Sequence, residues 1–410
     1  MREVDMLTGN AAAAWAARIA DVDYIPAYPI TPQTEIIETL ASWISQGLMK
    51  AKLVQLESEH SMLTAAGTAS LSGARVFTAT SSQGLLYGFE MLYNIAGWRA
   101  PLVLVNVSRA VAAPITLEPD HNDVLAARDS GFIQLHAEKC QEVLDLILIA
   151  YRVAEDHRVM LPVIVNMDGF YLSFTREPVY IPSKTDVEEF LPPYNPPHPF
   201  RAGRPVVKGP AVLGGHIYAY FKHNIHESLL RASDVFKEAA AKFREMWGRA
   251  HSPVEGFLLD DAEYVLVVTN SFTSIARKAV VRLREKGIPA GLVKLVMLRP
   301  FPSPDIVEKL RGRKAVAVFD QNISPGLGGI IYNEVAAALY HVKNRPETLL
   351  SAIGGVGGKY TTVEEFEHVF HMLMHPEKTQ PGKPVFLFRA DELAHVQTAL
   401  RLAGHIGDEA

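Results

Sequence analysis

The sequence predicts an α/β protein built from two doubly wound domains, and three observations carry that expectation. Residues 53–84 read as strand, small-residue helix, strand and the turn into another helix, the repeat unit of a parallel sheet covered on both faces. Residues 102–107 are almost wholly apolar, as a strand buried on both faces must be. After a proline-rich interval, the same alternation of strand and helix patterns resumes at Tyr264. The expected divisions are a first domain over 1–176, a connection with a long helix over 177–256, and a second domain over 257–410.

In order along the chain, residues 7–20 read as a helix opened by Gly9-Asn10 and filled by alanines. Alanine is the best helix former, and a small-residue face allows close packing. A strand at 23–28 leads into Pro29-Ile30-Thr31-Pro32, where Thr31 suits an N-cap and Pro32 the first helical position. A helix is therefore expected over 32–44. Thr31 is either a cap only, or a hydroxyl that a strand-to-helix turn aims at an anion.

The run 53–56 ends at Glu57 and Glu59. A carboxylate just past the C-terminal end of a parallel strand sits where open α/β sheets place their ligands, so Glu59 is the first candidate for chemistry. A strand over 75–80 then reaches Ser81-Ser82-Gln83-Gly84 and a helix over 85–97. Past the strand at 102–107, Arg109 stands alone in apolar surroundings. It either pairs with a surface acid or clamps a substrate carboxylate, for which guanidinium geometry is best suited. Asp120-His121-Asn122-Asp123 reads as a helix start with acids in its first turn. A strand at 133–136, a helix at 142–155, a strand at 161–167 and a turn at Asp168-Gly169 complete the domain.

From 177 to about 215 the prolines predict an irregular connection that wraps over another domain or subunit, ahead of a helix over 221–249. The second domain reads as strands at 264–269, 292–297, 315–319 and 385–388. Its helices read as 274–286, 304–311, 330–340 and 363–374. The turn Gly326-Leu327-Gly328-Gly329 is either tight geometry or a phosphate cradle, and it lacks GxGxxG spacing and a P-loop lysine.

Composition narrows the class. With 410 residues, 48% hydrophobic and 21% charged, the chain is an ordinary folded protein of two or three domains. A net charge of −5 argues against broad binding to nucleic acid or anionic membrane. No run approaches the roughly 18 apolar residues of a membrane span. The N-terminus has no secretory h-region, so a soluble, cytoplasmic protein is expected. The single cysteine, Cys140, lies in an apolar helical stretch, and the 15 histidines show no ligand spacing. No metal site is expected, and any redox centre must be on another chain.

Tyr28-Pro29-Ile30-Thr31-Pro32, Glu57-Ser58-Glu59-His60, Thr78 to Gly84, Arg109-Ala110, Asp120-His121 and Asn166-Met167-Asp168-Gly169-Phe170 occur in the right order. Together they resemble the alpha subunit of 2-oxoacid:ferredoxin oxidoreductases, the pyruvate enzymes most closely. The likeness includes Phe190-Leu191-Pro192-Pro193-Tyr194 and covers nearly the whole chain. It implies a thiamine diphosphate pyrimidine-binding domain followed by a transketolase C-terminal-like domain. The implied reaction is oxidative decarboxylation of a 2-oxo acid with coenzyme A to acyl-CoA, carbon dioxide and reduced ferredoxin.

On that resemblance, Glu59 holds the pyrimidine ring, Thr31 and Arg109 take the substrate carboxylate, and Pro29, Ile30, Ser82, Gln83 and Gly84 line the cofactor pocket. The Gly-Asp-Gly motif that usually holds the diphosphate and magnesium is absent from this sequence. Magnesium, diphosphate and [4Fe-4S] clusters are accordingly expected on partners: a beta subunit, a gamma subunit and a ferredoxin-like delta subunit. Ferredoxin or another acceptor takes the electrons. Where pyruvate enzymes carry an aromatic residue two positions before Asp-His, this chain has Glu118 within Leu117-Glu118-Pro119-Asp120-His121. The change either enlarges the pocket or falls on a position that faces solvent, and it leaves phenylglyoxylate or 2-oxoisovalerate open beside pyruvate. Threonine rather than arginine at position 31 argues against a dicarboxylic substrate. A non-catalytic scaffold is the alternative from another class, whereas an NAD-dependent dehydrogenase would need GxGxxG after a strand.

Overall fold

The computed structural model describes residues 3–380 and 382–404. Strand β1 (Glu3–Thr8) leads into helix α1 (Gly9–Ile19), capped by the Thr8 hydroxyl accepting from the Ala11 N–H at 3.0 Å. Then follow β2 (Tyr24–Ala27), α2 (Thr34–Ser45), β3 (Lys52–Gln55), α3 (Glu59–Leu71), β4 (Phe77–Thr80), α4 (Ser82–Tyr87) and α5 (Phe89–Trp98). The first sheet is completed through β5 (Val103–Ser108), α6 (Asn122–Ala126), β6 (Ile133–His136), α7 (Cys140–Ala154) and β7 (Val163–Asp168).

Strands β4, β5, β7 and β6 run parallel in that spatial order. The parallel pair β2–β3 continues the layer, because a parallel bridge between Tyr24 and Val76 sets β2 beside β4. The chain thus steps outward from β2 to β3 and then returns to β4 on the other side of β2. That reversal is a topological switch point, and the crevice beyond the strand ends there is where such sheets bind ligands. One face of the sheet is covered by α1 and α7. Ala12, Ala13, Ala14, Ala16 and Ala17 of α1 are fully buried, their short side chains letting the two helices approach closely.

Four expectations change. The helix expected from Pro32 begins at Thr34, and Thr31 is not its cap. The turn before it is closed instead by Gln33, whose N–H donates to Ile30 O (3.0 Å) and whose side chain donates to Tyr28 O (2.8 Å), and by Asn10 donating to Pro32 O (2.9 Å). The helix expected over 85–97 is two helices broken at Gly88, where a side chain would run into Leu63.

The third change is at the start: Leu7 and Thr8 are in β1, paired antiparallel with β8 (Arg176–Ile181). In β8 only Val179 and Ile181 are buried, too short an alternation to stand out. Fourth, the supposedly irregular connection carries α8 (Lys184–Phe190) and folds back on the first domain. Phe190 packs against Phe243 and Trp247 of α9 (Gly215–Trp247), with ring centroids 5.5 and 5.3 Å apart, and Arg75 donates to Pro192 O at 2.7 Å.

The second sheet contains β9 (Val254–Phe257), β10 (Tyr264–Thr269), β11 (Ala290–Leu295), and, beyond a short strand β12 (Met297–Arg299), β13 (Ala315–Asp320), β14 (Thr348–Ile353) and β15 (Val385–Phe386). Its order is β15-β14-β13-β10-β11-β9, parallel except for β9. Helices α10 (Phe272–Glu285), α11 (Ser303–Leu310), α12 (Ile330–Leu339), α13 (Val363–Met374) and α14 (Ala390–Leu402) accompany it. Strand β12 leaves this sheet and pairs antiparallel with β6, so one strand of the second domain edges the first. Among the described residues, no helix is long and apolar enough to cross a membrane.

A candidate active site at the switch point

Glu59 is the first residue of α3, just past β3, behind the Ser58 cap. It is 5% exposed, and burial raises its pKa above the ordinary value of 4.5, its own backbone N–H opposing. Glu57 differs: it is exposed, and a hydrogen bond from the Ser61 hydroxyl lowers its pKa. The Glu59 carboxylate lies against Gly84. A Cβ at position 84 would overlap Glu59 Oε1 and stand 2.6 Å from Thr80 Oγ1, so glycine is needed for close approach rather than for a turn.

Arg109 follows β5 and is 8% exposed. Burial lowers its pKa while the Asp123 carboxylate works the other way, and a guanidinium remains charged at neutral pH in either case. Its Nη1 donates to Thr31 O (2.8 Å) and its Nη2 to Gln83 Oε1 (2.8 Å). Its Nε is buried without a partner. The guanidinium is thus fixed by two bonds with N–H groups left over, as a carboxylate clamp requires.

Thr31, Gln83 and Arg109 are therefore brought into direct contact, and Glu59 and Gly84 into another. Thr31 meets Arg109 through its carbonyl, and its residue is exposed at the mouth. Pro29 is exposed and Ile30 half-buried on the turn that leads to it. Ser82 is buried, with its hydroxyl donating to Gln83 Oε1 (2.6 Å) or Ala110 O (2.8 Å). Leu117 is 46% exposed on its loop, and Glu118 packs on Gly358 of the second domain.

Sequence reasoning missed the buried hydroxyls of Thr80 and Ser81, both without partners, and a polar network of Asn106, Ser108, Asp123 and Asn166. Asn106 and Ser108 inside an otherwise apolar strand were the available signal.

Asp120-His121 and Asp168 lie in the seam between the domains, where Gly357 N–H donates to Asp120 Oδ2 at 3.2 Å. His121 Nε2 and Asp168 Oδ1 are 2.8 Å apart with both side chains fully buried. Burial opposes the imidazolium, but the carboxylates of Asp168, Asp123 and Asp120 together outweigh it and raise the pKa of His121. Across the seam Ser271 N–H donates to Asp168 Oδ2 (3.1 Å), and His136 meets Asn270. The first amides of α12, just past the glycine-rich turn, are taken by the chain itself, Ile330 N–H donating to Asn322 Oδ1 at 3.0 Å. Asp320 accepts from Ile331 N–H (2.7 Å) and Tyr332 N–H (3.0 Å), and a side chain at Gly329 would overlap it. Among the described residues, no group of three or more His, Cys, Asp or Glu is arranged to hold a metal ion.

The two domains are thus of the thiamine pyrimidine-binding and transketolase C-terminal kinds. Residues 15–245 match "Pyruvate flavodoxin/ferredoxin oxidoreductase, thiamine diP-bdg", and residues 262–366 match "Pyruvate:ferredoxin oxidoreductase core domain II". The pyruvate synthase subunit PorA of Methanothermobacter thermautotrophicus is 40% identical over 91% of this chain and 96% of its own. The ketoisovalerate oxidoreductase subunit VorA of Pyrococcus horikoshii is 39% identical over 89% and 92%. Among solved structures, 2-oxoglutarate:ferredoxin oxidoreductase from Magnetococcus marinus superposes with a TM-score of 0.68 at 20% identity, over 91% of this chain and 66% of that one. A split-gene transketolase does so with 0.54 at 13%, over 90% and 99%. The chain belongs to the pyruvate flavodoxin/ferredoxin oxidoreductase family, as an alpha-type catalytic subunit.

Proposed function

We propose that this chain supplies the pyrimidine side and the substrate clamp of a shared thiamine diphosphate site. That site oxidatively decarboxylates a 2-oxo acid: the acid and coenzyme A give acyl-CoA, carbon dioxide, one proton and two electrons for ferredoxin. The observation that carries the reading is the buried Glu59 packed on Gly84, in the same crevice wall as the Thr31–Arg109–Gln83 contact. The unpartnered hydroxyls of Thr80 and Ser81 and the closeness that Gly84 permits fit a planar ring held against Glu59. Thiamine diphosphate, when bound, supplies the electron sink that decarboxylation needs.

Glu59, with its raised pKa, keeps a proton to share with a ring nitrogen near neutral pH. Arg109 balances the substrate carboxylate until carbon dioxide leaves, and Thr31 and Gln83 hold the guanidinium in place. Pro29, Ile30 and Ser82 complete the wall. Magnesium, the diphosphate and the [4Fe-4S] clusters belong to beta, gamma and delta partners, since this chain has one cysteine and no Gly-Asp-Gly. The assembly is cytoplasmic.

Pyruvate is the substrate that the PorA relatives favour. The VorA relative, at 39% identity, makes 2-oxoisovalerate the second reading. In the complete complex, Glu59→Gln is expected to cut 2-oxo acid-dependent dye reduction by about 10²–10⁴-fold with assembly retained. Near-normal turnover would remove Glu59 from the chemistry. A panel of pyruvate, 2-oxoisovalerate and phenylglyoxylate on the same complex names the acyl group.

A further inference from the structure

The parallel ladder between β4 and β5 ends at the pair Thr80–Asn106, yet the residues of the site lie beyond it, at Ser82–Gly84 and Arg109. Past the last ladder rung the two segments are tied by Ser82 Oγ to Ala110 O (2.8 Å), by Arg109 Nη2 to Gln83 Oε1 (2.8 Å), and by one carboxylate that binds the backbone of both. Asp123, on α6 and fully buried, accepts from the backbone N–H of Ser82 (3.1 Å) and of Arg109 (3.2 Å) through the same oxygen, Oδ2. Asn106 Nδ2 also donates to Oδ2 (3.1 Å), and Ser108 Oγ (3.1 Å) and Val124 N–H (2.6 Å) donate to Oδ1. The carboxylate so replaces the next rung of the ladder.

One of its two tethered residues is in an unusual state. Ser82 has φ of +46°, a left-handed conformation that side-chain-bearing residues adopt only when their surroundings hold them there. The amide of Ser82 bound to Asp123 is part of what holds it, and Gly84, two residues on, is the residue against Glu59. The amide of Arg109 is the other tether, and its guanidinium is the carboxylate clamp.

We propose that Asp123 is a positioning residue for the decarboxylation site: it sets the separation between the Arg109 guanidinium and the Gly84–Glu59 contact, and so the fit of the substrate carboxylate. The proposal rests on reading Arg109 as the clamp.

The test uses the complete complex with all its partner subunits, carrying Asp123→Asn, Arg109→Ala or the pair Ser82→Gly/Asp123→Asn. An asparagine turns one acceptor into a donor facing donors, so KM for the 2-oxo acid should rise by about 10–100-fold, the cost of an ångström-scale misplacement. Because the tether acts on the clamp first, KM should carry the larger share of the change and kcat per assembled site the smaller. Glycine takes a positive φ without help, so Ser82→Gly in the Asp123→Asn background should recover at least about a third of the lost KM. A buried acid with a merely structural role would lower yield or thermal midpoint and leave KM per assembled site alone; that result overturns the proposal. So does a double variant no better than the single one, and so does failure of both to assemble. If Arg109→Ala itself leaves KM unchanged, the clamp reading falls. If Arg109→Ala raises KM and Asp123→Asn does not, only the positioning role falls.

Discussion

A single methyl group at position 84 would claim the space that the Glu59 carboxylate now occupies. The carboxyl oxygen of Glu59 and the Thr80 hydroxyl both border the space that a Cβ would take. Interiors are packed too densely to absorb that group without a shift. Gly84→Ala should therefore lower stability by about 1–3 kcal/mol in urea denaturation and reduce dye reduction further than that loss explains. Full turnover would show that α3 has room to move Glu59. The place of Glu59 past a strand end was legible in the sequence, because open parallel sheets put their ligands beyond such ends. Thr80, Ser81 and Asp123 were not. Nothing in a Thr-Ser pair or a helix-start aspartate tells which ones lose their contact with water, as that depends on which strands become neighbours.

At the scale of elements, α12 shows how a promising motif is used up locally. The glycines at 326–329 allow the chain to bend so that Asp320 reaches the first amides of the helix, occupying the place an anion would take. Asp320→Ala is expected to cost about 1–3 kcal/mol, the price of leaving the Ile331 and Tyr332 amides unpaired, measurable as a lower denaturation midpoint. An unchanged midpoint would mean that water or Asn322 takes over both amides. Most helices and the apolar strands were readable, because their periodicity repeats over enough residues. Strand β14, Thr-Leu-Leu-Ser-Ala-Ile, was missed: leucine, serine and alanine favour no strand by themselves, and its ladder with β13 decides the matter. β1 and β8 escaped for a related reason, since each finds its strand character only in the other.

At the scale of the whole molecule, the two domains meet through buried charge. Asp168 accepts from His121 on its own side and from Ser271 on the other, so the His121–Asp168 pair sits in the seam between the sheets. The pKa of His121 is raised above its ordinary 6.5, so its contribution is complete below pH 6.5 and is lost as pH rises through the raised value. Asp168→Asn should flatten that decline in the thermal midpoint and cost about 3–5 kcal/mol at pH 6, the scale for breaking a buried pair. A parallel decline in the variant would place the titration elsewhere.

Strand β12 has a practical corollary for anyone wishing to divide this polypeptide. Its three residues, Met297 to Arg299, border a layer whose other strands are finished by Asp168. A fragment stopped at the apparent boundary near residue 250 would bare the flank of β6, inviting some other extended segment to attach there. The halves of this molecule are distinct in sequence yet are stitched by a border that only the later half can provide.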